Sequence, residues 1–429
     1  MPRDRETRRQ RAAALVRKAA SPDAILDALD IMVVLAATNS QSVALRGASK
    51  LSPVCAAWRD LVDRFRASLT SIDLDQRTLA AGADATVFLL VRKWCPTLTS
   101  LDLHCARYSD AALCHVAEGC PQLKALKLMN CSAGLPGLLA VARSCTALES
   151  LDLCLSANID GAQNIPQGEW DDRCADMDTA VITFASCCPH LRSLRLENAQ
   201  LRNLTVRFVN TALPRLQSLD LHGCYKVDDS AFSQTRWPEL RSLTLEFSGS
   251  ASGLLSAETL VSLRNLETLE LQCDSDATDT VLAQLVAKLP KLTCLSLDDC
   301  PAGDKTAAAL ARSCKQLKNL RVVTTEISDV GIEHVASLRS LEFLSLTAAD
   351  PGDLSARALE AIARHRPPAL RELILNNFEC SDPPLRQTIA RCPSLNYVEA
   401  NGDIYESEVL TARTPRSAAS RSSSFYLHV

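Results

Sequence analysis

Apolar positions along this chain fall into one recurring pattern, Leu-x-x-Leu-x-Leu. It starts at Leu69 and returns, in full or as a close variant, at Leu98, Leu123, Leu148, Leu191, Leu216, Leu240, Leu266, Leu292, Leu317, Leu341, Leu370 and Leu395. Nine of the twelve spacings are 24–26 residues, two are 29 and one is 43, so a single unit is being reused. Alternation within the triplet predicts a short strand, with one face buried. A polar turn follows, with candidate helix N-caps at Ser109-Asp110, Thr278-Asp279 and Ser328-Asp329. Apolar residues at helical spacing then predict helices over 111–120, 280–289 and 331–338. Prolines at 96, 121, 189 and 393 close several units.

A unit of this length cannot bury its apolar face alone and must stack on copies of itself. The expected fold is therefore an α/β leucine-rich-repeat solenoid, a ribonuclease-inhibitor-like horseshoe of about 13 repeats. Its parallel sheet is expected on the concave side and its helices on the convex side. The expected organisation is a basic lead over 1–20, a helical segment without the repeat over 21–66, repeats over 67–402 and a Ser/Arg-rich flexible tail over 403–429. The 43-residue spacing holds an insertion, 157–176, read as an acidic loop carrying Trp170. That indole either pins the loop to the body or reaches a partner.

Eighteen cysteines change the picture less than their number suggests. One set follows the strand (Cys105, Cys131, Cys154, Cys224, Cys273, Cys300). Another closes the helix (Cys95, Cys120, Cys145, Cys188, Cys314, Cys392). A side chain reused at one point of each coil is a packing element. With no apolar stretch after the basic start, the expectation is reduced thiols in cytoplasm or nucleus. No apolar run reaches membrane-spanning length. The formal charge is −4; the first 20 residues hold +5 and the last 19 hold +3, which leaves −12 in between. Phosphate-binding glycine loops and the Gly-x-Ser-x-Gly elbow are absent from the sequence. The His104-Cys105…Cys114-His115…Cys120 stretch matches no usual zinc spacing. No catalytic residue, metal, cofactor, membrane contact or nucleic-acid role is expected.

The repeat continues as LxxLxLxxC, with a turn Asp, a helix and a closing Cys-Pro. This resembles the cysteine-containing repeats of F-box proteins. Ahead of the repeats, SPDAILDAL (21–29) looks like an opening F-box helix. Val54-Cys55-Ala56-Ala57-Trp58 matches the Val-Cys-x-x-Trp signature of its second half. The resemblance implies the substrate receptor of an SCF-type ubiquitin ligase, with a Skp-type adaptor and a cullin scaffold as partners. Carried over residue by residue, the adaptor surface would be Pro22, Ile25, Leu26, Leu29, Val54, Cys55, Trp58 and Leu61. The same apolar residues also suit a cap on the open end of a solenoid. The alternative function is an interaction scaffold or inhibitor with no ubiquitin role.

Strand alternation places eleven acids and three bases on the concave face. The candidate substrate-binding set is Asp102, Asp152, Glu197, Asp220, Glu246, Glu270 and Asp298, with Phe343, Ile374, Tyr397 and Trp170 as apolar contacts. Asp73, Asp75, Glu372 and Glu399 complete the acids; Lys127, Arg195 and Arg321 are the bases. Such a face either draws in a basic protein segment or serves as a solvated surface. Phe343, Ile374 and Tyr397, with Val323, either anchor a partner or lie beneath the chain end near Ile404 and Tyr405. A further hypothesis is that the basic tail, 411–429, docks back onto the acidic sheet and competes with the substrate.

Overall fold

The structure is a computed structural model; it describes residues 71–74, 98–104, 108–129, 134–154, 167–199, 201–232, 236–246, 263–272, 278–350, 355–378, 382–406 and 416–417. The fold is an α/β leucine-rich-repeat solenoid, and each of the thirteen triplets forms a strand. The chain divides into two compact units, residues 1–145 and 146–429.

In the first unit, β1 (Ser71–Leu74), β2 (Ser100–His104) and β3 (Ala125–Met129) run parallel. Helices α1 (Asp110–Gly119) and α2 (Leu135–Ser144) follow β2 and β3. The register keeps equivalent residues side by side: Leu101 lies beside Leu126, and Leu103 beside Leu128.

The second unit continues the plan in one sheet. Its parallel strands are β4 (Ser150–Cys154), β5 (Ser193–Glu197), β6 (Ser218–Leu221), β7 (Ser242–Glu246), β8 (Thr268–Gln272), β9 (Cys294–Asp298), β10 (Asn319–Thr325), β11 (Phe343–Ala348), β12 (Glu372–Asn376) and β13 (Tyr397–Ala400). Its helices are α3 (Gln167–Cys187), α4 (Asn203–Ala212), α5 (Asp279–Val286), α6 (Asp304–Ser313), α7 (Asp329–Ala336), α8 (Ala356–His365) and α9 (Asp382–Arg391). The two inward residues of each of these strands, mostly leucines (Leu320 and Val322 in β10, Val398 and Ala400 in β13), are buried and their neighbours are mostly half-buried, so one face meets the helix layer and the other is open. Each fully buried Leu contributes roughly 1.5–3 kcal/mol.

Neighbouring repeats are tied where their helices begin. Asp279, the first residue of α5, accepts from the backbone N–H groups of Gly303 (2.9 Å), Lys305 (3.0 Å) and Thr306 (2.9 Å) at the start of α6. Asp304 accepts from the Ser328 N–H at 2.9 Å, and Asp329 from the Ser355 N–H at 2.9 Å. Asp110 does the same for Gly134 at 2.8 Å in the first unit, and Asp178 for Arg202 at 3.1 Å in the second. Each aspartate therefore caps the following repeat's helix. Ser109 and Thr278 make no side-chain cap of their own, whereas Ser328 caps Val330.

Among the described residues, the cysteines at the repeat positions are buried packing elements with a weak donor to spare. Closing thiols reach back one repeat, from Cys145 Sγ to the Cys120 carbonyl (3.4 Å) and from Cys314 Sγ to the Leu289 carbonyl (3.5 Å). Among the strand-following set, Cys224 Sγ reaches the Leu196 carbonyl at 2.9 Å. A larger residue would not fit these fully buried steps, and Ala would lose the bond.

Three local departures have physical causes. The insertion is not all loop, since α3 runs for 21 residues. It consists of an ordinary repeat helix from Asp178 with an added stretch in front. Trp170 thus lies in a helix rather than a loop, because Glu169, Asp171 and Asp172 suit a helix N-terminus. In the repeat that begins at Leu216, a three-residue 3-10 turn (Asp229–Ala231) replaces the helix. Phe232 and Trp237 fill the space there, their ring centroids 6.5 Å apart. Finally, Asn401 (φ 52°) and Gly402 (φ 87°) form a tight reversal into β14 (Asp403–Glu406), which pairs antiparallel with β13. Residues Arg416–Ser417 (β15) pair with β14 at its outer side. Among the described residues, no helix is long and apolar enough to cross a membrane.

Candidate partner-binding face

The open face of the second unit carries three side chains per strand. Those of β4 to β7 are engaged with one another. Arg195, at the centre of β5, lies in register with Asp152 on β4 and Asp220 on β6. Its guanidinium meets Asp152 at 4.0 Å, Asp220 at 3.1 Å and Glu197 at 2.8 Å. Burial would lower the guanidinium's pKa, but Asp220, Asp152 and Glu197 together raise it. Asp220 is held above the usual aspartate range chiefly by burial, against the opposing pull of the His222 N–H and of Arg195. Glu246 takes the His222 ring at 3.2 Å and the Gly223 N–H at 2.8 Å. Asp152, Glu197, Asp220 and Glu246 therefore already have partners inside the protein.

The sector from β8 to β10 differs. Glu270 is half-buried, and its pKa is raised first by burial and then by the charge of Asp220. Burial also raises Asp298, although Arg321 pulls the other way. Arg321 is exposed at the centre of β10, in register with Ser296 and Ser345. Among the described residues, neither acid has a cation within ion-pair distance, so this sector offers charge that a partner could use.

The sector from β11 to β13 sets apolar side chains among polar ones. Phe343, Glu372 and Tyr397 share one row across the three strands. Ile374 lies in the next row between Ser345 and Glu399. Phe343, Ile374 and Tyr397 are half-buried, as is Val323 on β10. The Tyr397 hydroxyl donates to Glu399 at 2.7 Å, which holds that ring in place. The chain end extends the sheet sideways: Ile404 pairs in register with Glu399, while Tyr405 turns inward beside Val398 and is buried.

In the first unit, Asp102 stands in register with Asp73 and Lys127, with the Lys127 ammonium 3.9 Å away. Trp170 is in α3, and its side chain lies outside the described residues, as does Asp75. Pro22, Ile25, Leu26, Leu29, Val54, Cys55, Trp58 and Leu61 lie wholly outside them. Sequence reasoning placed Arg195 on the face but missed that it would gather three acids. The signal was present, because a base flanked by acids at the same repeat position predicts cross-strand pairing. It also missed His222, the neighbour of Glu246.

No protein-family model matches the chain. Similar solved structures include an internalin (inlF) from Listeria monocytogenes, 15% identical with a TM-score of 0.43, covering 74% of this chain and 89% of that one. Another is the complex of Rad7 and Elc1 in yeast, 17% identical with a TM-score of 0.48, covering 84% of this chain and 86% of that one. A third is a complex of TLR13 with ssRNA13, 18% identical with a TM-score of 0.42, covering 71% of this chain and 46% of that one.

Proposed function

We propose that this protein is a substrate-recognition subunit of an SCF-type ubiquitin ligase. The supporting observation is the Val54-Cys55-Ala56-Ala57-Trp58 signature and its preceding helix motif, directly ahead of cysteine-bearing repeats. In this reading a Skp-type adaptor binds Pro22, Ile25, Leu26, Leu29, Val54, Cys55, Trp58 and Leu61, and the adaptor links to the cullin. The target protein binds the open face of the repeats, and no residue of this chain performs chemistry.

The target contact is assigned to β8–β13. Apolar anchors next to charges without internal partners are the usual make-up of a binding hot spot. Phe343, Ile374 and Tyr397 supply the anchors. Glu270 and Asp298 attract a basic segment, and desolvating them further is favourable only if a cation arrives. Asp152, Glu197, Asp220 and Glu246 contribute less, because Arg195 and His222 already occupy them.

Affinity purification of the full chain tests both halves. The expected result is recovery of a Skp-type adaptor, lost in Trp58→Ala, together with a target lost in Ile374→Asp. Recovery of a target with no adaptor would replace this reading with that of a scaffold or inhibitor free of ubiquitin.

A further inference from the structure

A second site lies in the helix layer and is independent of the open-face reading. Helix α8 ends in Arg364 and His365, and Arg366 closes it in the left-handed conformation (φ 47°). That cap position normally falls to Gly or Asn, which adopt it with little strain. An arginine held there keeps a charge in place at a conformational cost.

Two cavities open on either side of Arg366. One, about 530 Å³, lies between α8 and α9 and is lined by Glu360, Arg364, Arg366, Gln387 and Arg391. The other, about 430 Å³, lies between the ends of α7 and α8 and is lined by Ser337, Arg339, His365, Arg366 and two prolines. Glu333 occupies Arg364 at 3.0 Å and His365 at 2.8 Å. Arg339, Arg366 and Arg391 are exposed and form no ion pair among the described residues. A cation near a helix C-terminus complements its dipole. That accounts for Arg364 and His365, which stand in the last turn of α8. It does not account for one guanidinium shared by two cavities, one of which has no acid in its lining among the described residues.

We propose that this pair of cavities binds a phosphorylated peptide segment of a partner protein. Guanidinium forks match phosphate oxygens two at a time, and the permanent cations of both linings are arginines, which outnumber the single acid, Glu360. Two separate hollows about one shared arginine suit two anionic side chains on one short segment. A nucleic acid is disfavoured because, among the described residues, no Phe, Tyr or Trp lines either cavity to stack a base, and the one aromatic ring present, His365, is held by Glu333.

The test is fluorescence anisotropy on the full chain with a labelled peptide carrying two phosphoserines. The unphosphorylated peptide and a single-stranded oligonucleotide of equal charge serve as comparisons. The phosphorylated peptide should bind at least tenfold more tightly than either. Arg366→Gly should weaken it tenfold or more without lowering the melting temperature, since Gly suits that backbone. Arg391→Gln should weaken it independently. Equal binding of both peptides, tighter binding of the oligonucleotide, or unchanged affinity in Arg366→Gly would each overturn the proposal.

Discussion

The Thr306 hydroxyl donates to the Asp279 carboxylate at 2.6 Å, across the step from one repeat to the next. Thr306 is fully buried, and three backbone N–H groups share the same carboxylate. Burial alone would raise the Asp279 pKa, but these bonds outweigh it and hold the group below the usual aspartate range. Replacing Asp279 with Ala strands buried donors and removes a cap. It should cost about 2–3 kcal/mol, read as a lower urea midpoint. Asp279→Asn keeps an acceptor oxygen and should lose less. Because the folded pKa is depressed, the contribution is complete above the ordinary value of 3.8 and is lost as pH falls through the folded one. The gap between wild type and Asp279→Ala should therefore close in acid; a gap unchanged at pH 2 would refute this account.

Gly303 is constrained by the same carboxylate. A Cβ there would lie 2.9 Å from Asp279 Oδ2, inside normal contact. Gly303→Ala should therefore destabilise by about 1–3 kcal/mol. In the background of Asp279→Ala, most of that penalty should vanish. Additive losses in the double-mutant cycle would show that the contact is not the cause.

Removing the guanidinium of Arg195 leaves Asp152, Glu197 and Asp220 facing one another. Arg195→Ala should cost about 1–3 kcal/mol at neutral pH. Asp220, already held above the usual aspartate range, would then titrate at still higher pH in the folded state. A raised carboxylate pKa gives stability that is present at low pH and lost as pH rises. The variant's melting temperature should thus recover relative to wild type as pH falls from 7.5 toward the ordinary aspartate value of 3.8. Asp220→Asn in the same chain should restore part of it at pH 7.5. A deficit that does not vary with pH would mean that Arg195 acts by packing instead.

Burial pushes the thiols of Cys145 and Cys314 up to about 12 and that of Cys294 to about 11. A thiol must ionise to react with an alkylating agent. At pH 8 these three should stay unmodified in the folded chain, while half-buried Cys114 and Cys187 react first. Mass mapping after brief iodoacetamide treatment checks the order. Early labelling of Cys314 would contradict the packing described for it.

The repeats were legible in the sequence because one strand period of two and one coil length recur thirteen times. Leu101 and Leu373 are buried for the same reason, and either could be found from the other. Relations between coils were harder to read. Asp279 looks like part of its own helix's start, and nothing within one repeat shows that it serves the next. Arg195 reads as an isolated base until the register sets Asp152 and Asp220 beside it. The aromatic filling by Phe232 and Trp237 was hidden for another reason: a helix replaced by a 3-10 turn keeps the coil length and removes only the helical spacing. The Asn401-Gly402 reversal was visible as a dipeptide. The strand that follows it was not, because the repeat pattern stops at that dipeptide and nothing periodic continues beyond it.

The aspartate caps all point one way along the chain, and this gives unravelling a direction. If a coil detaches from the amino side, it takes with it the acceptor that its successor needs, and that successor's helix start is stripped bare. If a coil detaches from the carboxyl side, its predecessor keeps a bare aspartate, which water solvates at little cost. Damage that begins early in the chain should therefore spread forward, while fraying at the far end should stop after a single coil.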